Sequence, residues 1–511
     1  MSVRPFTRRS LLRRSGATAA GAGVLGSLAA ASPAAAQLGD DRARRALLVV
    51  LPLVRADHVD AFEGGSPADT PNLNEFAEQS LRFDRAIPES MPALSTRRSL
   101  VTGMRAYPFR DWRRLEGFPS VPGFNPVWDH QPLLMEQTRG AGIETLYLTD
   151  NPVFEGERFR DVRRPGGGPS GELGSGIDGE LLASFKRQTH ATRRTMRAGV
   201  EALRELRRVD SFLIGVDPFD PADAYAAPPF YVRPGRADED GLGPTDGRLV
   251  ELDFGDGEID RVREAYVKHV EAVDAELGRL LDAVPDDTVV FVLGDHGLAL
   301  GEHGYLGRAA PTSHRNSYEV PYLIRHPGGQ KSGDEVDWYA TTHDVAPTLL
   351  SFLGLTIPGK MRGEDLTALF DDVDEDDMPD RPKSITAVGS QIIVRDRRWL
   401  VVADRERIVR RMFDDDEDVE DDITRFDNIA NEDTGKLTEL SQAALLVADG
   451  TLPEFGPDGA LRPPRERGDD DTDDDGVPND FDPFDNDEPE DGTSRADLEY
   501  DGRVPEGGKL P

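Results

Sequence analysis

Four short runs constrain the fold of this chain more than any other feature: residues 46–54, 145–149, 211–216 and 288–293 are almost unbroken in apolar character. Strands that look like this, without apolar/polar alternation, are buried on both faces, as in a parallel sheet covered by helices. Helical spacing fills the gaps, at 72–79, 132–139, 192–208 and 259–284, the last with Val262, Ala265, Val270, Val273, Leu277 and Leu281 along one side. Alternating strands and helices predict an α/β domain with a mostly parallel sheet flanked by helices. After Leu366 the pattern changes to short strand-like pieces, among them 391–395 and 399–402, which predicts a smaller C-terminal α+β subdomain. A length of 511 residues exceeds what one core usually serves. The expected division is a leader at 1–36, the α/β domain at 37–366, the subdomain at 367–448, a linker at 449–468, an acidic tail at 469–501 and a terminus at 502–511.

Charge and composition narrow the function. Asp and Glu number 96 against 60 Lys and Arg, a formal net charge of −36, which argues against nucleic-acid binding driven by phosphate neutralisation. Residues 469–501 hold sixteen acids and Arg495, and residues 37–468 still carry −27, as expected of a solvated, salt-tolerant surface. Cysteine is absent, so disulfides, thiolate metal sites and Cys nucleophiles are excluded, and any chemistry runs on oxygen and nitrogen side chains. Residues 1–36 carry five arginines, no acid and an Ala/Gly-rich run at 17–31. Thr7-Arg8-Arg9-Ser10-Leu11-Leu12-Arg13 resembles the twin-arginine export consensus, and Ala34-Ala35-Ala36 a small-residue cleavage site, which predicts export to the cell envelope or beyond. The apolar run is shorter than the ~20 residues of a membrane span, and no later stretch is long and apolar enough to cross one.

In doubly wound sheets the reactive groups gather where strands end at their carboxyl edge. The fourth run ends in Gly294-Asp295-His296-Gly297, followed by Leu300-Gly301-Glu302-His303-Gly304, a carboxylate and imidazoles beside glycines that allow close backbone approach. Other blocks accompany it in order: 46–59 (ALLVVLPLVRADHV), Thr70-Pro71-Asn72-Leu73, Ser99-Leu100-Val101-Thr102-Gly103, 220–231 (DPADAYAAPPFY), Val320-Pro321-Tyr322-Leu323-Ile324 and 342–354 (THDVAPTLLSFLG). Together they resemble the sulfatase family of the alkaline phosphatase superfamily from about Arg45 to Ala430. The resemblance implies an alkaline phosphatase-like fold and hydrolysis of a sulfuric or phosphoric ester. It also implies a hydroxyl nucleophile beside a calcium-type cation, with basic side chains stabilising the ester oxygens. The expected partner is a sulfated or phosphorylated small molecule or glycan.

Laid on the family pattern with Thr102-Gly103 as anchor, the nucleophile position falls on Ala93, whose methyl group cannot attack an ester. The acids expected after the first strand fall on Pro52 and Leu53, and the histidine of the 220–231 block falls on Ala222. The surviving candidates are Arg97, His303 and Arg308 as catalytic residues, and Asp295 with His296 as a residual metal pair. One carboxylate and one imidazole fall short of the ~6–8 oxygens calcium takes. Two readings stay open: an eroded, weakly active or inactive centre, or a rewired one in which Ser90, Ser95 or Thr96 attacks.

The tail carries a separate constellation. Asp471, Asp473, Asp475, Val477, Asn479 and Asp482 occupy positions 1, 3, 5, 7, 9 and 12 of an EF-hand-type loop, with Gly476 at 6. The segment resembles the calcium-binding repeats of thrombospondin type 3, which implies calcium as its ligand. This allows a third function class, a non-catalytic, calcium-dependent surface or binding protein.

Overall fold

The computed structural model describes residues 43–62, 64–91, 93–108, 126–165, 177–220, 230–232, 249–251, 254–308, 315, 318–371, 381, 383–388, 391–404, 409–414 and 434–447. The leader at 1–36, Ala222 and the tail loop at 471–482 lie outside the described residues. Eight strands build the main sheet: β1 (Arg45–Leu51), β2 (Leu81–Phe83), β3 (Glu144–Leu148), β4 (Val162–Arg163), β5 (Phe212–Val216), β6 (Thr288–Gly294), β7 (Tyr322–Arg325) and β8 (Glu335–Val336). Their order is β8-β2-β7-β6-β1-β5-β3-β4. All neighbours run parallel except β7, which is antiparallel to both β6 and β2.

The double-sided apolar character of β1 explains its central place. Ala46, Leu48 and Val50 enter one core with residues of helices α2 (Ala93–Thr102), α3 (Leu134–Gly140) and α6 (Val345–Phe352). Leu47, Val49 and Leu51 enter the other, with α1 (Pro71–Glu78), α4 (Ile177–Leu206) and α5 (Asp256–Leu281). The first apolar run continues to residue 54, yet the strand stops at Leu51: Pro52 has no amide for the ladder, and Leu53 takes a left-handed φ of 58°. Helix α4 begins fifteen residues before the expected 192, because Ser184, Gln188, Thr192 and Thr195 are buried on its inner face and blur the apolar period. A second, five-stranded sheet holds Ser384–Val388, Gln391–Arg395, Trp399–Asp404 and Val409–Asp414 as an antiparallel meander, with Ser90–Met91 added in parallel at one edge. Helix α7 (Thr434–Val447) packs against it through Leu437 and Leu440.

Candidate active site

The residues that follow the carboxyl ends of β5 and β6 meet on one side chain, Arg97 of α2. Like other long helical side chains, Arg97 points back toward its helix N-terminus, and its Nη1 donates to the carbonyl of Ala93 at 3.2 Å. The same Nη1 donates to Asp295 Oδ2 at 3.0 Å, Nε donates to Asp217 Oδ1 at 2.8 Å, and Nη2 reaches the Pro218 carbonyl at 3.1 Å. The guanidinium lies 4.7 Å over the ring of Phe219. Arg97 is 0% exposed, so every one of these contacts is removed from water.

Asp295 is the residue after β6, and Gly294 before it has no room for a side chain: a Cβ there would lie 2.7 Å from Val320 Cβ and 2.8 Å from the Val54 carbonyl oxygen. Oδ1 of Asp295 accepts the amides of Leu53 at 2.7 Å and His296 at 2.8 Å. The left-handed turn at Leu53 aims that first amide, while Tyr266 Oη donates to the Leu53 carbonyl at 2.7 Å and His269 Nε2 lies 2.9 Å from the Pro52 carbonyl. His296 is buried with Nδ1 2.8 Å from the Gly297 carbonyl. Burial would raise the Asp295 carboxyl, but the charges of His296 and Arg97 and the Leu53 amide outweigh it and hold the group below the usual carboxylate range. Asp217 differs. Burial dominates over the Arg97 charge there and pushes its carboxyl up to about 6, with Tyr147 Oη donating to Oδ2 at 3.3 Å. Arg97 itself, despite burial, is raised by the two carboxylates and stays charged.

Around the nucleophile position the surface is apolar: Ala93, Leu94 and Phe219 form one buried cluster, with Val153 against it. Ser90, Ser95 and Thr96 are each 0% exposed, and Thr96 Oγ1 donates to the Ser90 carbonyl at 2.8 Å. His303 lies in the turn Glu302–Gly304 and Arg308 ends the strand Tyr305–Arg308; their side chains lie outside the described residues. That turn is anchored by Arg55, whose Nη1 donates to Glu302 Oε1 at 2.8 Å and to the Leu298 carbonyl at 3.0 Å, while its Nε donates to Asp57 Oδ1 at 2.9 Å.

A divalent cation does not suit this donor set. Asp295 and Asp217 already share a guanidinium, Pro52 and Leu53 supply no side-chain oxygen, and among the described residues no group of three or more His, Cys, Asp or Glu could hold a metal ion. Asp217 was missed at the sequence level, although it follows the 211–216 run as Asp295 follows the 288–293 run.

Residues 182–355 match the sulfatase family model. That match covers about a third of the chain. N-acetylglucosamine-6-O-sulfatase of Bacteroides thetaiotaomicron is 32% identical over 106 residues, 20% of this chain and 19% of that protein. An arylsulfatase of Clostridium perfringens is 29% identical over 122 residues, 22% of this chain and 25% of that protein, so the matched stretch spans a quarter or less of either relative. Among solved structures, a phosphonate monoester hydrolase from Silicibacter pomeroyi superposes with a TM-score of 0.58 at 18% identity, covering 82% of this chain and 99% of that one. The fold is therefore the alkaline phosphatase-like α/β fold shared by sulfatases.

Proposed function

We propose that this chain is an exported sulfatase-family protein, descended from hydrolases of sulfuric or phosphoric esters, in which the nucleophile and metal positions are eroded and the surviving Arg97 is held internally by two carboxylates. The supporting observation is Arg97 between Asp217 and Asp295, at 2.8 and 3.0 Å, completely buried. The guanidinium that the resemblance assigns to the ester oxygens is here committed to two carboxylates. It cannot lower the pKa of a nucleophile by coordination, and Ala93 offers none. A rewired centre finds no support in Ser90, Ser95 or Thr96, which no solvent reaches. The ligand expected of such a protein is a sulfated or phosphorylated small molecule or glycan, bound and not turned over.

Purified protein incubated with aryl sulfate, aryl phosphate and an aryl phosphonate monoester should release no phenol above the uncatalysed rate. Steady turnover that Asp295→Ala abolishes would overturn this assignment in favour of an active hydrolase. Calcium belongs, in this proposal, to the tail loop of Asp471, Asp473, Asp475, Val477, Asn479 and Asp482. The twin-arginine assignment of residues 1–36 is tested by Arg8→Lys with Arg9→Lys, which should leave uncleaved precursor inside the cell; undiminished export would refute it.

A further inference from the structure

Helix α4 departs from the rest of this acidic protein. Residues 186–208 hold eight Lys and Arg against Glu201 and Glu205, within a body of net charge −27. Lys186, His190, Arg193, Arg197 and Arg204 follow at intervals of 4, 3, 4 and 7 residues, all exposed. At 3.6 residues per turn these positions stay within about 60° of one another and extend ~27 Å along the helix. Arginines on other faces are engaged inward: Arg187 donates to Asp220 at 2.7 Å and Arg194 to Asp150 at 2.9 Å.

The stripe ends in a groove of about 630 Å³ between α4 and α5, which Arg207 and Arg279 also line. On its floor Glu276, 4% exposed, lies 2.7 Å from Arg279, 3.6 Å from Arg197 and 3.8 Å from Arg193. Those guanidinium side chains are 61%, 68% and 48% exposed. Arg197, Arg204, Arg207 and Arg279 line the groove against Glu276, Glu201 and Asp282, so a cationic surplus of one charge faces it and continues into the exposed stripe. The groove lies where α4 and α5 end, just before β5 and β6 begin; Asp217 and Asp295 follow the far ends of those same strands. It is therefore a separate place on the molecule.

We propose that this stripe and groove bind a linear polyanion, a sulfated polysaccharide. Guanidinium groups present paired donors that match the oxygens of sulfate and carboxylate, and the acidic surface elsewhere repels such a chain and confines it to the stripe. A single-stranded nucleic acid is disfavoured because base stacking needs exposed rings, and among the described residues Leu446 is the exposed large hydrophobic; a duplex is left to the test. The choice of a sulfated glycan over other polyanions rests on the sulfatase-family assignment above; the cation stripe does not.

The test is fluorescence polarisation of labelled dextran sulfate against the full mature chain, with R193A/R197A as the probe variant and R261A/R397A as an equal-charge control, all checked by thermal melting. Binding should weaken about tenfold in R193A/R197A, remain in R261A/R397A, and fall with ionic strength. Three results would overturn the proposal: no binding to dextran sulfate at low salt, equal loss in both variants, or tighter binding of duplex DNA. Binding that appears only when residues 469–511 are removed would assign the stripe to the acidic tail and overturn the glycan as occupant. Ester turnover is not part of this readout, so failure of the inert-centre assignment leaves it unaffected.

Discussion

Asp217 and Asp295 hold the same guanidinium, yet burial and partners place their carboxyl groups on opposite sides of the ordinary range, and replacing each by Asn separates the two effects. For Asp217 the folded-state value is about 6, against 3.8 when unfolded. Its protonated form is therefore favoured by folding; the associated stability is fully present below pH ~3.8 and is lost as pH rises through about 6. At 1.36 kcal/mol per unit, the loss across that window is about 3 kcal/mol as an upper figure. Asparagine mimics the protonated acid: its oxygen can still accept from Arg97 and its amide can meet Tyr147 Oη. Urea unfolding from pH 3.5 to 7.5 should then show Asp217→Asn close to wild type in acid and gaining on it by up to about 3 kcal/mol at neutral pH. Asp295 is held low, so its stabilisation is present above the unfolded carboxylate value and lost as pH falls; Asp295→Asn should be destabilised at neutral pH and converge on wild type in acid. If Asp217→Asn runs parallel to wild type across the range, or if both variants respond with the same sign, the unequal sharing of Arg97 is wrong.

Arg97→Met should cost about 3–5 kcal/mol at neutral pH, the usual result of leaving buried charge without its partner, and the loss should shrink in acid as both carboxylates take up protons; a flat pH dependence in urea unfolding would count against the role assigned to Arg97. Ala93→Ser should restore no aryl sulfate or aryl phosphate turnover, since Pro52 and Leu53 still provide no metal ligand, and measurable kcat in that single variant would contradict the account. Calcium, but not magnesium, should protect the segment after residue 468 from protease, with half-protection in the ~10⁻⁴–10⁻³ M range of extracellular loops; identical digestion in calcium and in chelator would reduce the tail to an acidic extension.

The sheet was legible because its central strands must be apolar on both faces, and few other contexts produce runs such as 46–51 and 288–293. Asp295 was legible for the same reason, as the first polar residue past such a run. The role of Arg97 was not, because its partners lie 120 and 198 positions away and only the packing of α2 across the ends of β5 and β6 brings them together. Nor could spacing reveal that Leu53 adopts a left-handed turn, since a bulky apolar residue rarely does so; its amide on Asp295 shows what the turn achieves. The start of α4 at Ile177 escaped because a buried face built from Ser, Gln and Thr carries little apolar period.

If Ala93, Pro52 and Leu53 mark a lost hydrolytic centre, as proposed, the same geometry constrains the order in which it could be rebuilt. An acid at position 53 would enter a site that is 2% exposed, beside two carboxylates that already share one cation, and like charges crowded in a dry site raise one another's pKa and oppose ionisation. Freeing Asp217 and Asp295 for a metal means withdrawing Arg97 from them, which leaves those carboxylates uncompensated at a cost of about 3–5 kcal/mol, a large part of the 5–15 kcal/mol that holds a typical domain together. The loop is tied down besides, with its two carbonyls bonded to His269 and Tyr266. Each single step back toward a metal centre is thus unfavourable before the next can compensate, whereas the present arrangement satisfies both buried carboxylates with one side chain. On the proposed reading, ligand binding then falls to surfaces that ligands can reach, and the cationic face of α4 is one such surface.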